Sequence, residues 1–173
     1  MEVELGSLFR QDAVIGLPIV HGRLLFSKIV KEAFYKYLPS AVAVELPPHL
    51  KTLVLQGIKR LPYLSMVVED YLSLRPVVYP IDPGDPIIEV LRLAQENRTP
   101  IYFVDAVDKC LDEENSYEFI LQNLPLPDDY SLESISFEQY YKSFLRIRKA
   151  FPPLITQRER IMAQNLLNLT DNY

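Results

Sequence analysis

Cysteine is almost missing from this chain. The only one is Cys110, so an internal disulfide and a cysteine-built zinc cage are both excluded. Glycine is also scarce. Five glycines against fourteen prolines point to stiff connections between defined elements rather than a flexible chain. There is no tryptophan, and no apolar run reaches the ~18 residues of a membrane span. A surplus of positive charge is lacking too. The formal charge is −5 with both signs mixed, which argues against nucleic acid as a main partner, because phosphate binding needs a clustered basic surface. The opening MEVELGSLFRQD carries acids where a secretory signal needs bases, so a cytoplasmic location is expected.

What is present is a chain of 173 residues, nearly half of them apolar, enough for one domain with a sizeable core. Residues 13–20 (AVIGLPIV) read as a strand buried on both faces, ended by His21-Gly22. Apolar residues from Leu24 to Tyr37 recur at helical spacing and predict an amphipathic helix over 23–37. AVAVEL (41–46) reads as a second buried strand, and 49–59 as a helix. This strand–helix–strand unit implies a parallel pair. Residues 64–68 and 76–79 are further strands. Asp85 is placed to cap a helix that starts at Pro86 and runs to about Asn97. Residues 101–104 form a strand ending on Asp105. In the second half, 113–124, 137–150 and 155–169 read as helices and 125–135 as loop. Thr156 and Glu159 have capping-box spacing. The expected fold is α/β: a mostly parallel sheet flanked by helices. Residues 1–110 would form the sheet core and 111–173 a helical part of the same domain.

In an open parallel sheet, ligands bind beyond the carboxyl ends of the strands. His21, Glu45 and Asp105 fall at those ends. Glu45 interrupts an apolar run, and a carboxylate there must be paired, coordinated or functional. One alternative is an acid that holds an arginine or a helix N-terminus. His21 suits a general base, a general acid or a metal ligand; its alternative is a cap on the next helix. His49 is a candidate second ligand, although a surface position on the second helix is expected. One histidine with two carboxylates has the donor types of a hard or borderline metal site, so a divalent metal at His21 and Glu45 is a further expectation. On the last helix Arg158, Met162 and Asn165 share a face, which would bring a guanidinium to an anionic group; the bland alternative is a solvated charged stretch. Ser27 lies on the first helix, too deep for a nucleophile elbow. Dinucleotide, Walker, HExxH and GxSxG signatures are absent.

Taken in order, VIGLPIVHG, PSAVAVELPP, PIYFVDA and RERIMAQNL resemble the motifs of the TraB / TIKI / erythromycin-esterase-like (ChaN-like) superfamily. The likeness spans roughly residues 11–167. Gly16 lies five residues before His21, where the family pattern has three. The resemblance implies a hydrolase-type site acting on an unknown ester or amide, metal-assisted or histidine-based. It matches His21, Glu45, Asp105, Arg158 and Glu159 to the family's site positions, and Met162, Ala163 and Asn165 to the rest of its late helix. It also implies continuation into a longer protein, since family members carry a second histidine motif beyond that helix. The alternative functions are a non-catalytic sensor or binding module for a small molecule or protein, and an oligomerisation domain. Phe137, Tyr140, Tyr141, Phe144, Leu145 and Phe151 motivate the last.

Overall fold

A computed structural model describes residues 9–17, 19, 21–22, 24–69, 77–106 and 153–170. The elements are β1 (Phe9–Gln11), β2 (Val14–Gly16), α1 (Leu24–Tyr37), β3 (Val42–Val44), a 3-10 turn (Pro48–Leu50), α2 (Lys51–Ile58), β4 (Ser65–Glu69), β5 (Val77–Ile81), α3 (Pro86–Glu96), β6 (Ile101–Phe103) and α4 (Pro153–Thr170). The expected helices at 113–124 and 137–150, the loop at 125–135, Cys110 and the aromatic series from Phe137 to Phe151 lie outside the described residues.

The α/β class holds, but among the described residues parallel pairing is confined to β3 and β6, with Val42 opposite Ile101 and Val44 opposite Phe103. The other two ladders among the described residues are antiparallel hairpins, β1 with β2 and β4 with β5. Within the expected strand at 13–20, Val14–Gly16 is therefore not buried on both faces and pairs with β1 rather than with 41–46. Asp12 adopts a left-handed φ of 52°, which an aspartate tolerates, and turns Gln11 directly back onto Val14.

Strand β3 is also buried on one face only. Val42 and Val44 point into the core while Ala43 is exposed. Period-two alternation then puts Glu45 on the same open side as Ala43. Glu45 thus sits at the end of a half-buried strand and not inside a fully buried run.

The core gathers Phe34 from α1, Val42 and Val44 from β3, Leu50, Val54 and Ile58 around α2, Ile81 from β5, Leu91 and Ala94 from α3, and Phe103 from β6. Helix α1 buries Phe26, Ile29, Val30, Ala33 and Phe34, the i, i+3, i+4 stripe seen in the sequence, and packs it against α3. Helix α3 starts as expected. The Asp85 side chain accepts N–H groups from Ile87 and Ile88, and Pro86 occupies the first helical position, where no N–H is needed. Helix α4 differs in its start. It begins at Pro153, so Thr156 lies inside the helix and is not its cap. A proline at N1 offers a φ already set for the helix and wins over the downstream capping box.

Gly57 on α2 has a local packing reason. A Cβ there would lie 2.9 Å from Ile81 Cγ1 and 3.4 Å from Ser65 Oγ. Ile81 is fully buried and cannot step aside. Gly57→Ala should therefore destabilise the protein by about 1–2 kcal/mol in urea unfolding, with overpacking exceeding the ~1 kcal/mol gain in helix propensity. The adjoining Ser65 hydroxyl is buried without a hydrogen-bond partner. Ser65→Ala should leave the urea midpoint unchanged or raised, because it removes an unmet desolvation cost of about 1 kcal/mol or more.

Candidate functional site

The ladder of β3 and β6 continues just past the strands. The Val104 N–H donates to the Val44 carbonyl at 3.0 Å, and the Asp105 N–H donates to that of Leu46 at 3.2 Å. Glu45 and Asp105 therefore meet at the carboxyl ends of the one parallel pair, where such folds place their sites. Asp105 is buried and Glu45 half-exposed, with side-chain exposures of 6% and 52%.

Helix α4 closes over this edge through one face. Arg158 Nε donates to Asp105 Oδ1 at 2.7 Å and Nη2 to Oδ2 at 2.5 Å, a two-toothed guanidinium–carboxylate pair. The same Nη2 lies 3.0 Å from Glu45 Oε1. Seven residues on, two turns along the same face, Asn165 Nδ2 donates to the Val104 carbonyl at 2.9 Å. The shared helical face read from Arg158, Met162 and Asn165 is realised, and it seats on the strand ends. Of the readings open for Glu45, an acid holding an arginine is the one seen. Arg158 meets two carboxylates of this chain rather than standing ready for an external anion.

His21 pairs with a different carboxylate. It does not cap α1. Its Nδ1–H donates to Asp85 Oδ2 at 2.9 Å, and the neighbouring Gly22 N–H donates to the same oxygen at 3.2 Å. A carboxylate only accepts, so this bond fixes the proton on Nδ1 and leaves Nε2 as the acceptor nitrogen of the neutral ring. Gly22 turns at a φ of +67°, which brings its N–H and the His21 ring onto one oxygen. The His21 side chain is 65% exposed, while that of Asp85 is mostly buried.

Asp85 was legible in the sequence only as a helix cap. Its other oxygen does cap α3, with Oδ1 accepting the Ile87 N–H at 2.8 Å. Serving a helix terminus and a histidine at once is invisible to local spacing, because 64 residues separate Asp85 from His21. The IDPGDP turn is the signal that could have drawn attention to it: it stands beside the rim, and its glycine and prolines fix one backbone path.

The charges act on one another. The Asp85 hydrogen bond raises the His21 pKa; partial burial opposes this, the charges of Asp85 and Glu45 add to it, and Arg158 subtracts from it. Burial alone would lift the Asp85 carboxyl. The hydrogen bond and charge of His21, with the N–H groups of Gly22 and Ile87, outweigh burial and hold it below the usual carboxylate range. Glu45 lies above its usual range because its carboxyl loses hydration. Arg158 and His21 pull it down, while Asp105 and Glu159 push it up. His21, Glu45, Asp105, Arg158 and Glu159 thus belong to one electrostatic neighbourhood. His49 lies exposed on the turn before α2.

No family model, no curated protein and no solved structure matches this chain. Among the described residues no three His, Cys, Asp or Glu side chains converge as a metal-holding group. No helix among the described residues is long and apolar enough to cross a membrane.

Two outcomes follow from this geometry. Arg158→Met strands the buried Asp105 carboxylate and should cost roughly 2–4 kcal/mol in urea unfolding, below the full value for a buried pair because Arg158 is itself 36% exposed. Glu45→Gln should cost less than about 1 kcal/mol, as its carboxyl is half in water. Equal losses for the two variants would contradict the arrangement. The His21–Asp85 pair sets a pH dependence. A raised histidine pKa stabilises below its unfolded value, and that contribution is lost as pH rises through the folded one. A lowered aspartate pKa stabilises above its unfolded value, lost as pH falls through the folded one. The pair should contribute most between about pH 4 and 6.5. Thermal unfolding from pH 5 to 9 should show the alkaline decline flatten in His21→Ala.

Proposed function

We propose that this chain is a hydrolase-like α/β domain of the TraB / TIKI / erythromycin-esterase type, acting on an ester- or amide-bearing substrate. The observation that carries the reading is the exposed His21 ring held through Nδ1 by Asp85. That arrangement leaves Nε2 to take a proton from water, the role of a histidine general base oriented by a carboxylate. The raised pKa brings the base closer to neutral pH, where proton transfer is most effective. Glu45, shifted towards its protonated form, would return a proton to the leaving group. Asp105 and Arg158 would hold the strand ends and α4 in register. The motif order from VIGLPIVHG to RERIMAQNL supports the same assignment. A cytoplasmic location and a small-molecule or protein substrate complete it. A divalent metal, were one bound, would be held by His21 Nε2 and Glu45 and would activate the same water as a Lewis acid.

A panel of p-nitrophenyl esters and peptide anilides tests the reading. Turnover should rise with pH through the His21 midpoint, and His21→Ala should lower it by about 10²-fold or more. Undiminished turnover in His21→Ala would sink the proposal. A second reading, a sensor or binding module, draws on the commitment of Arg158 to Asp105 and Glu45, which ties up the cation best suited to a developing oxyanion. Saturable ligand binding without product would favour that reading.

A further inference from the structure

We propose that Ser27 is a positioning residue of this site: its buried hydroxyl, bonded to the Gly84 carbonyl, holds the turn that presents Asp85 to His21. The inference rests on the His21–Asp85 reading above and adds a residue which that reading does not use.

Ser27 stands in the first turn of α1 and is 4% exposed. A serine within a helix commonly satisfies its hydroxyl on its own backbone, three or four residues back. Ser27 instead crosses to a carbonyl 57 residues away. That carbonyl belongs to Gly84, whose C=O shares a rigid peptide plane with the Asp85 N–H. Fixing one end of the plane orients the other, and with it the Cα that carries the Asp85 side chain.

The turn has its own internal bonds. The Gly84 N–H donates to Asp82 Oδ1 at 2.7 Å, and the Asp85 N–H donates to the Asp82 carbonyl at 3.0 Å. These set the shape of the turn but not its position against α1. Position comes from the 21–27 segment, which grips the turn at two points. Ser27 takes the Gly84 carbonyl, while His21 and Gly22 take Asp85 Oδ2. Apolar packing of α1 on α3 brings the elements together, yet it is non-directional. The hydroxyl supplies direction. A 2.9 Å contact between His21 and Asp85 tolerates only a few tenths of an ångström before it weakens.

The test is an NMR titration of the histidines in the full chain. There are two, so His49 serves as an internal control. Besides Asp85, the charged groups acting on the His21 ring are Glu45 and Arg158, and neither is altered by the substitution. Ser27→Ala should lower the His21 midpoint by about half a pH unit, towards its value in Asp85→Asn, with His49 unmoved. Where a hydrolysed substrate is in hand, kcat should fall with KM held. Should Ser27→Ala fail to fold, the near-isosteric Ser27→Cys, a weaker donor, decides instead and should shift the midpoint the same way. A folded Ser27→Ala, or Ser27→Cys in its place, with an unchanged His21 midpoint overturns the proposal. A lowered midpoint in a protein that hydrolyses nothing upholds Ser27 and removes the hydrolase reading alone.

Discussion

The Asp85 carboxylate is the interaction on which most of the described structure turns. One oxygen satisfies the N-terminus of α3; the other gathers His21 and Gly22. Helix starts are usually completed by a local side chain that serves that end alone. Here one carboxylate also holds a histidine 64 residues away. The ordering of α3, whose apolar face forms a large share of the core, is thereby linked to the placement of an exposed ring at the surface.

A second long-range pair works alongside it. Arg158 ties α4 to the ends of β3 and β6 by way of Asp105 and Glu45. The two pairs engage different carboxylates. Their charges reach each other, since Glu45 and Arg158 both act on His21. Burial decides how each behaves. Asp105 is enclosed and needs its cation. Glu45 is half in water and is free to change protonation at little structural cost.

Much of this was legible in the sequence where the signal is local. The α1 stripe, the Asp85-Pro86 start of α3 and the strand ending at Asp105 all rest on spacing within a dozen residues, and each was found within a residue or two. The common face of Arg158 and Asn165 was equally local. Pairing partners were not legible. Whether Val14 faces another strand in parallel or folds back on Gln11 depends on a left-handed Asp12, which composition does not reveal. Alternation in AVAVEL was masked by alanines, which suit either face, so Glu45 read as buried. The His21–Asp85 bond spans 64 residues, and the sequence offered the two ends without the link.

Gly22 carries a consequence of its own. Its φ of +67° favours glycine, yet a Cβ added there would meet no atom within 4 Å beyond its chain neighbours. Preference for glycine at this point is thus a matter of backbone angle and not of room. An alanine would carry a left-handed penalty of about 1–2 kcal/mol with no collision to relieve, whereas asparagine tolerates that angle better. The residue beside the histidine is therefore a graded adjustment: the choice of side chain sets how readily the backbone holds His21 in its bound orientation, through a backbone angle rather than through packing.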